Sequence, residues 1–241
     1  MGPTLSVMKR ELGAYFNTPI GYVIIVFFLV ISTGMFLEGF FVQGVAEMRG
    51  YFEQLPFLFL FFVPAISMRL WSEERKLGTL ELLMTMPMKN WNAVVGKYLA
   101  GLLFIVVMLA MTLPIPFVLA YLGDPDVGPI IGGYLGALVL ASIYLSIGAF
   151  ASSLTSDQIV AFVVGLSLSL LMFLLGWRVT YNFLSDDLGL PAVAQVVQRF
   201  GTSYHFESIT RGVVDTRDMI YAVTMTGFFL FLNVLVIERR R

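Results

Sequence analysis

The side chains best placed to do chemistry lie between Val63 and Lys97. Arg69, Glu73, Glu74, Arg75, Lys76, Glu81, Lys89 and Lys97 fall there, between an apolar run ending at Met68 and another beginning at Tyr98. Glu73 and Lys76 stand one helical turn apart and can pair, which contributes about 0.3 kcal/mol. Inside this charged stretch sits an apolar one, residues 78–87. Thr79 suits an N-cap and Pro87 a stop. Leu80, Leu83 and Met84 share one face of such a helix, Leu82 and Met86 another, and Glu81 is the polar exception. A helix that is apolar nearly all round needs cover on both sides. Two arrangements satisfy that: burial wholly under the rest of the chain, or a grip between the chain and a partner's groove. Met84, Met86 and Met88 would suit an adaptable contact surface.

Other chemistries find little footing. Asp186, Asp187, His205 and Glu207 could be gathered round a metal, but a single His without regular ligand spacing argues for solvated loop residues instead. A Ser–His hydrolase within the membrane needs its His at membrane depth, and His205, the one His, falls in a long polar-punctuated segment, 178–218. No G-x-x-x-x-G-K-S/T string occurs: Trp91 stands where Gly96-Lys97 would need its first Gly. The apolar runs hold none of the acid–base pairs expected of a proton-coupled carrier. No residue is therefore assigned to catalysis, to a metal or to a cofactor of the chain's own. The absence of Cys removes disulfides and thiolate sites.

The elements that must position the charged stretch are membrane helices. Hydrophobic residues make up 58% of the 241 and charged ones 13%, half the roughly 25% of a soluble domain. The net charge of −1 points to no nucleic-acid partner. Charge-poor runs long enough to cross a bilayer, about 17–25 residues, predict an all-α polytopic protein with six spans: 20–41, 54–71, 98–122, 129–153, 158–177 and 218–237. The second needs Leu70 and Trp71 beyond Arg69, whose stem can lie in the apolar layer. Pro56 suits its first turn, and Pro64 should kink it. Pro114 and Pro116 should break the third. Small residues at four-residue spacing, among them Gly132, Gly136, Ala137, Ala141, Gly148 and Ser152, read as packing seams in the fourth and fifth. The first run is too long for a signal-peptide core and is expected to stay as an anchor.

Before the first span, residues 4–16 read as an amphipathic helix on the membrane surface. Leu5, Met8, Leu12 and Phe16 form its apolar face, Arg10 and Glu11 point away, and Asn17-Thr18-Pro19 ends it. With both termini on the cytoplasmic side, ten of the fifteen Lys and Arg, including every Lys, lie inside. Residues 191–200 should form a short amphipathic helix on the outer side, 204–210 another, and Thr216 should cap the last span.

The strings Pro64-Ala65-Ile66-Ser67-Met68-Arg69, Glu73-Glu74-Arg75-Lys76, Gly78-Thr79-Leu80-Glu81-Leu82-Leu83, Pro87, Trp91 and Gly96-Lys97-Tyr98 resemble the permease subunit of type-2 ABC transporters. The resemblance covers the whole chain, 1–241, as one permease domain with an N-terminal elbow helix. It implies that 78–87 is a coupling helix seated on an ATPase. Glu73, Glu74, Gly78, Thr79, Leu80, Glu81, Leu82, Leu83, Met84 and Pro87 would form that contact. It further implies short re-entrant helices over 190–211 on the outer side. ATP and Mg would be bound by the partner ATPase, and a second permease subunit, identical or related, would complete the path. The location implied is the inner (plasma) membrane, in contact with lipid, and the activity ATP-driven transport, as an exporter, with no substrate-binding residue indicated. Met8-Lys9-Arg10-Glu11-Leu12, Thr18-Pro19-Ile20-Gly21-Tyr22, Tyr204-His205-Phe206-Glu207-Ser208 and Arg211-Gly212-Val213 are similar to the gliding-motility-associated permeases of that family. A membrane scaffold that docks a partner without transport, or a polytopic membrane enzyme, are the other classes such a sequence can serve.

Overall fold

Backbone groups in lipid must be satisfied within the chain, and helices do this segment by segment. A computed structural model of the chain describes residues 2–43, 47–85, 88–123, 125–210 and 215–239, leaving aside the side chains of 42, 43, 83, 84 and 208–210. Among these residues there is no strand. The helices are α1 (Pro3–Asn17), α2 (Pro19–Gln43), α3 (Arg49–Ser67), α4 (Arg69–Lys76), α5 (Leu80–Thr85), α6 (Asn90–Ala110), α7 (Pro114–Leu122), α8 (Val127–Leu154), α9 (Gln158–Gly176), α10 (Arg178–Asn182), α11 (Pro191–Phe200), α12 (Thr202–Thr210) and α13 (Thr216–Glu238), with a π-turn at Phe183–Asp187. Six helical stretches are long and apolar enough to span a membrane: Pro19–Phe41, Arg49–Lys76, Asn90–Leu122, Val127–Leu154, Gln158–Gly176 and Thr216–Glu238. The chain is an all-α, multi-pass membrane protein.

Two of these stretches form the centre. The α3–α4 stretch is 67% buried and α8 61%, against 28% for α2 and α9. Small residues bring them together. Gly148 on α8 faces the Ser67 hydroxyl so closely that a Cβ would collide with it, and Gly133 faces the Phe52 ring in the same way. Gly165 on α9 lies against Gly148 and Ala151. In lipid such contact, rather than water exclusion, is what associates helices.

Several boundaries differ from the sequence expectation, each for a physical reason. The second span starts at Arg49, not near residue 54, because Arg49 and Glu53 pair across one turn at 3.1 Å and extend the helix. Pro56 therefore lies inside the helix rather than in its first turn. The third span starts at Asn90, with Ala93 and Val94 buried, so Lys97 lies inside a helix instead of ending a loop. It breaks at Met111–Leu113, and Pro114 opens α7. Thr112 covers part of that break, donating to the Leu109 carbonyl at 2.7 Å. The last span is capped by the Asp215 carboxylate, which accepts from Arg217 N at 3.0 Å, and Thr216 is already helical. The Thr18–Pro19 break is present: Thr18 is extended between α1 and α2.

α1 also turns a different face inward. Val7 and Tyr15 are its buried residues, and Leu5 is exposed. Gly96 on α6 decides this. A Cβ there would lie 2.9 Å from the Thr4 carbonyl and the Val7 side chain, so α1 rests on α6 along Thr4 and Val7. Tyr15 then stacks on Phe104, ring centroids 4.7 Å apart, and donates to the Ile66 carbonyl at 2.9 Å.

The α3–α4 junction at Met68 is held from outside. The Ser152 hydroxyl of α8 accepts from the backbone N–H of Trp71 at 3.0 Å and of Ser72 at 3.1 Å, and donates to the Met68 carbonyl at 2.7 Å. One side chain thus serves three backbone groups where the helix changes course. Ser152→Val removes the acceptor of the Trp71 and Ser72 N–H groups in a low-dielectric interior, while the Met68 carbonyl keeps the Ser72 hydroxyl as a donor. A loss of about 2–4 kcal/mol is expected, read as a lowered unfolding midpoint of the purified protein in detergent, with Ser152→Thr retaining most of the stability.

Candidate functional site

The charged stretch folds as two short helices joined by a left-handed glycine. α4 ends at Lys76 and Gly78 takes φ +70. Gly78 N–H reaches the Arg75 carbonyl at 3.1 Å and Thr79 N–H the Glu74 carbonyl at 2.9 Å. These are the paired bonds of a Schellman motif, in which glycine follows the helix end because it alone adopts that conformation without strain. Gly78 therefore closes α4, and the next helix starts at Leu80, shorter than the stretch 78–87. Thr79 holds the position before it, with its hydroxyl donating to the Glu74 carbonyl at 3.3 Å.

α5 is not sealed beneath the bundle. Leu80 is half-buried against the hydrophobic core, as is Met88 beyond the helix. Leu77 is 67% exposed and Leu82 65% exposed, and Glu81 is exposed beside them. Gly78 and Thr79 are exposed as well. Leu83 and Met84 belong to α5 by their backbone, their side chains standing outside the described part. Met86 and Pro87 lie outside the described residues. One side of α5 is thus held and the other is open.

Glu73 does not pair with Lys76. It pairs back along α4 with Arg69, Nε to Oε2 at 2.7 Å, because four residues of separation bring those two together. Glu74 turns the other way, into a closed ring of alternating charge. Lys97 Nζ on α6 lies 3.0 Å from Glu74 Oε1 and 3.0 Å from Glu11 Oε1 on α1. Arg10 Nη2 lies 2.6 Å from Glu11 Oε1 and 2.8 Å from Glu74 Oε1. Lys97 is 1% exposed and sits 5.0 Å over the centroid of the buried Trp71 ring. Two cations and two carboxylates close on one another and leave no net charge. Around the ring, α1, α4 and α6 meet. Asn90, at the head of α6, donates to Glu238 at the end of α13 at 3.3 Å, bringing that helix to the same face.

Glu11 was expected on the polar face of α1, away from its apolar stripe, and it turns toward Lys97 of α6. Burial pushes its carboxyl up, but the Lys97 ammonium and Arg10 guanidinium outweigh that and hold it below the usual carboxylate range. Arg10 is raised despite partial burial, through Glu11 and Glu74.

At the opposite face, α11 and α12 fold back into the molecule. α12 packs on α8, α9 and α3. Gly176 and Gly201 touch so closely that a Cβ on either would collide with the other's backbone or its neighbours. His205 lies on α12 rather than in a solvated loop, with Nδ1 2.7 Å from Asp218 Oδ1. Asp186 and Asp187 stand apart from it in the π-turn.

The family model described as ABC-2 family transporter protein matches residues 7–237. The chain belongs to the ABC-2 transporter family. No curated protein matches it. An ABC-2 chain is a membrane component of a transporter, and the fold above is that component.

Sequence reasoning on this ABC-2 chain named Arg10, Glu11, Lys97 and Ser152 but missed the contacts they make. The available signal was a lysine within a helical apolar pattern, Val94 to Leu99, which asks for a buried counter-charge. Lys97→Met would leave two enclosed carboxylates sharing only Arg10. A loss of about 3–5 kcal/mol is expected, and adding Glu11→Gln and Glu74→Gln should recover most of it, as read by unfolding midpoints. Because the Glu11 carboxyl is depressed in the fold, its contribution is complete above the ordinary value of 4.5 and disappears as pH falls through the lower folded value. The wild-type midpoint should therefore drop below that pH more steeply than the Glu11→Gln midpoint.

Proposed function

We propose that this ABC-2 chain is the permease subunit of an ATP-driven exporter, and that α5 is the element through which a separate ATPase moves it. The observation that carries the reading is the open side of α5. Leu82 and Glu81 stand exposed on α5 and Leu77 stands exposed at the end of α4, while Leu80 of α5 packs against the core. An exposed apolar ledge on a firmly held support is suited to a groove in a second protein. Glu73 and Glu74 act behind it, the first stiffening α4 through Arg69 and the second tying α4 to α1 and α6. Gly78 sets the angle between support and ledge, and Thr79, Leu80, Glu81, Leu82, Leu83, Met84 and Pro87 form the docking stretch.

On this reading α1, α4, α5 and the end of α13 face the cytoplasm across the inner (plasma) membrane, with both termini inside. ATP and Mg belong to the ATPase. A second permease, identical or related, completes the path, and ATP binding shifts the pair between inward- and outward-open states through its differential contacts with α5. A place among the gliding-motility-associated permeases is supported by the strings around Met8–Leu12, Thr18–Tyr22 and Tyr204–Ser208.

Leu77→Asp with Leu82→Asp tests the assignment, since both side chains are exposed and their loss spares the bundle. The folded permease should remain in the membrane at normal yield, while its co-purifying ATPase falls by more than tenfold. Retained ATPase and retained ATP-dependent transport would reject it.

A further inference from the structure

His205 is placed between two oxygen acceptors on two different elements. Its Nδ1 lies 2.7 Å from Asp218 Oδ1 near the head of α13. Its Nε2 lies 3.0 Å from the Arg199 carbonyl near the end of α11. A neutral imidazole has one N–H and one lone pair. Beside an ionised Asp218, either tautomer would turn that lone pair against an oxygen. Both bonds form together only while the His205–Asp218 pair holds one further proton, on the ring or on the carboxyl.

The surroundings sharpen that requirement. Asp218 is 4% exposed, its Oδ2 has no hydrogen-bond partner among the described residues, and it lines a cavity of about 10 Å³ with Thr202, Phe206 and Tyr221. That is room for about one water molecule. The Tyr221 ring stacks on His205 at 3.9 Å and its hydroxyl donates to the Phe200 carbonyl at 2.7 Å. Tyr144 of α8 meets the Thr202 hydroxyl at 3.1 Å. α8 and α9 carry no Asp, Glu, Lys or Arg. On α3 the charged pair Arg49–Glu53 is satisfied within itself. Tyr204 and Glu207 flank His205 on α12, and Arg199 and Arg217 are the cations on α11 and α13. The side chain of His205 keeps 13% exposure, enough to exchange a proton with the medium.

We propose that His205 and Asp218 form a proton-operated clamp that fastens the α11–α12 hairpin to the head of α13. With the shared proton in place, α11, α12 and α13 are tied through one imidazole ring. When the proton leaves to solvent, one of the two bonds becomes a lone-pair clash. The ring can then hold the Arg199 carbonyl of α11 or Asp218 of α13 but not both, so the three helices are no longer joined through it. The clamp is closed while the pair holds the shared proton and loosens once a rise in pH removes it. It is a property of the folded chain and does not depend on the ATP-driven reading.

The sequence makes the test clean, because the chain has one His and no Cys. The full chain, carried on a tag without histidine, is placed in lipid bilayers. Nitrogen-15 histidine labelling then reports the ring of His205 alone, and spin labels at Val196→Cys and Val223→Cys report the distance from α11 to α13. At pH 5 both ring nitrogens should be hydrogen-bonded in the proton-bound state, with one narrow distance. At pH 8.5 one nitrogen should shift to the lone-pair position, and the distance distribution should broaden. Asp218→Asn supplies a permanent donor to Nδ1, and should keep the narrow distance at both pH values. A ring that does not change between the two pH values, or a pH-dependent distance that survives in Asp218→Asn, would overturn the proposal.

Discussion

An ammonium group shut away from water is costly unless its charge is met at close range. Lys97 is almost wholly enclosed, and the fold around it is arranged to meet that cost. Glu11 comes from the N-terminal helix, Glu74 from the end of the second span, and Arg10 closes the ring from outside. No one of these helices can rotate or slide without parting opposite charges in a poorly screened place. The ring is therefore a constraint on relative position more than a source of net stability. It fixes the three helices on which the open helix α5 depends.

How the chain leaves the membrane follows from that constraint. The second span does not simply end at the surface. It is interrupted at Met68, where the Ser152 hydroxyl of α8 accepts from the Trp71 and Ser72 N–H groups and donates to the Met68 carbonyl. It then runs as α4 past the ring and is stopped by Gly78 in a conformation that other residues resist. Three fixed points in a row leave little freedom in where Leu77 and Leu82 are presented. α4 in turn is tied to α1 and α6 through Glu74 and to α8 through Ser152.

Much of this was legible beforehand, and the failures share a cause. The six spans were readable because lipid demands long apolar helices, and the Thr18–Pro19 break because proline restricts the residue before it. The start of the third span was misplaced because counting apolar residues treats a lysine as the end of a run. Lys97 is instead buried, and its partner Glu11 lies 86 residues earlier. The same count turned Glu11 outward. Gly78 was placed at the head of a helix because its role as a stop shows only once α4 is known to be helical up to it. Long-range pairing, which no local pattern encodes, decides the first two. At the other face, His205 looked like a loop residue for the same reason: Asp218, thirteen positions on, supplies the contact that gives it a fixed place.

The two faces are joined by one helix. Ser152 binds the α3–α4 bend, and Tyr144, eight residues back along α8, binds Thr202 at the start of α12. At 1.5 Å per residue those anchor points stand about 12 Å apart. Between them α8 carries Leu145, Ile147, Gly148 and Ala151, all buried against neighbours. A helix enclosed on most sides has few ways to deform and moves as a body. Ser152 and Tyr144 thus fasten the α3–α4 junction and α12 to one and the same helix. α8 meets these neighbours through hydroxyl groups, Ser152 near its last turn and Tyr144 in its interior, which give directional bonds where apolar packing alone would let the helices slip.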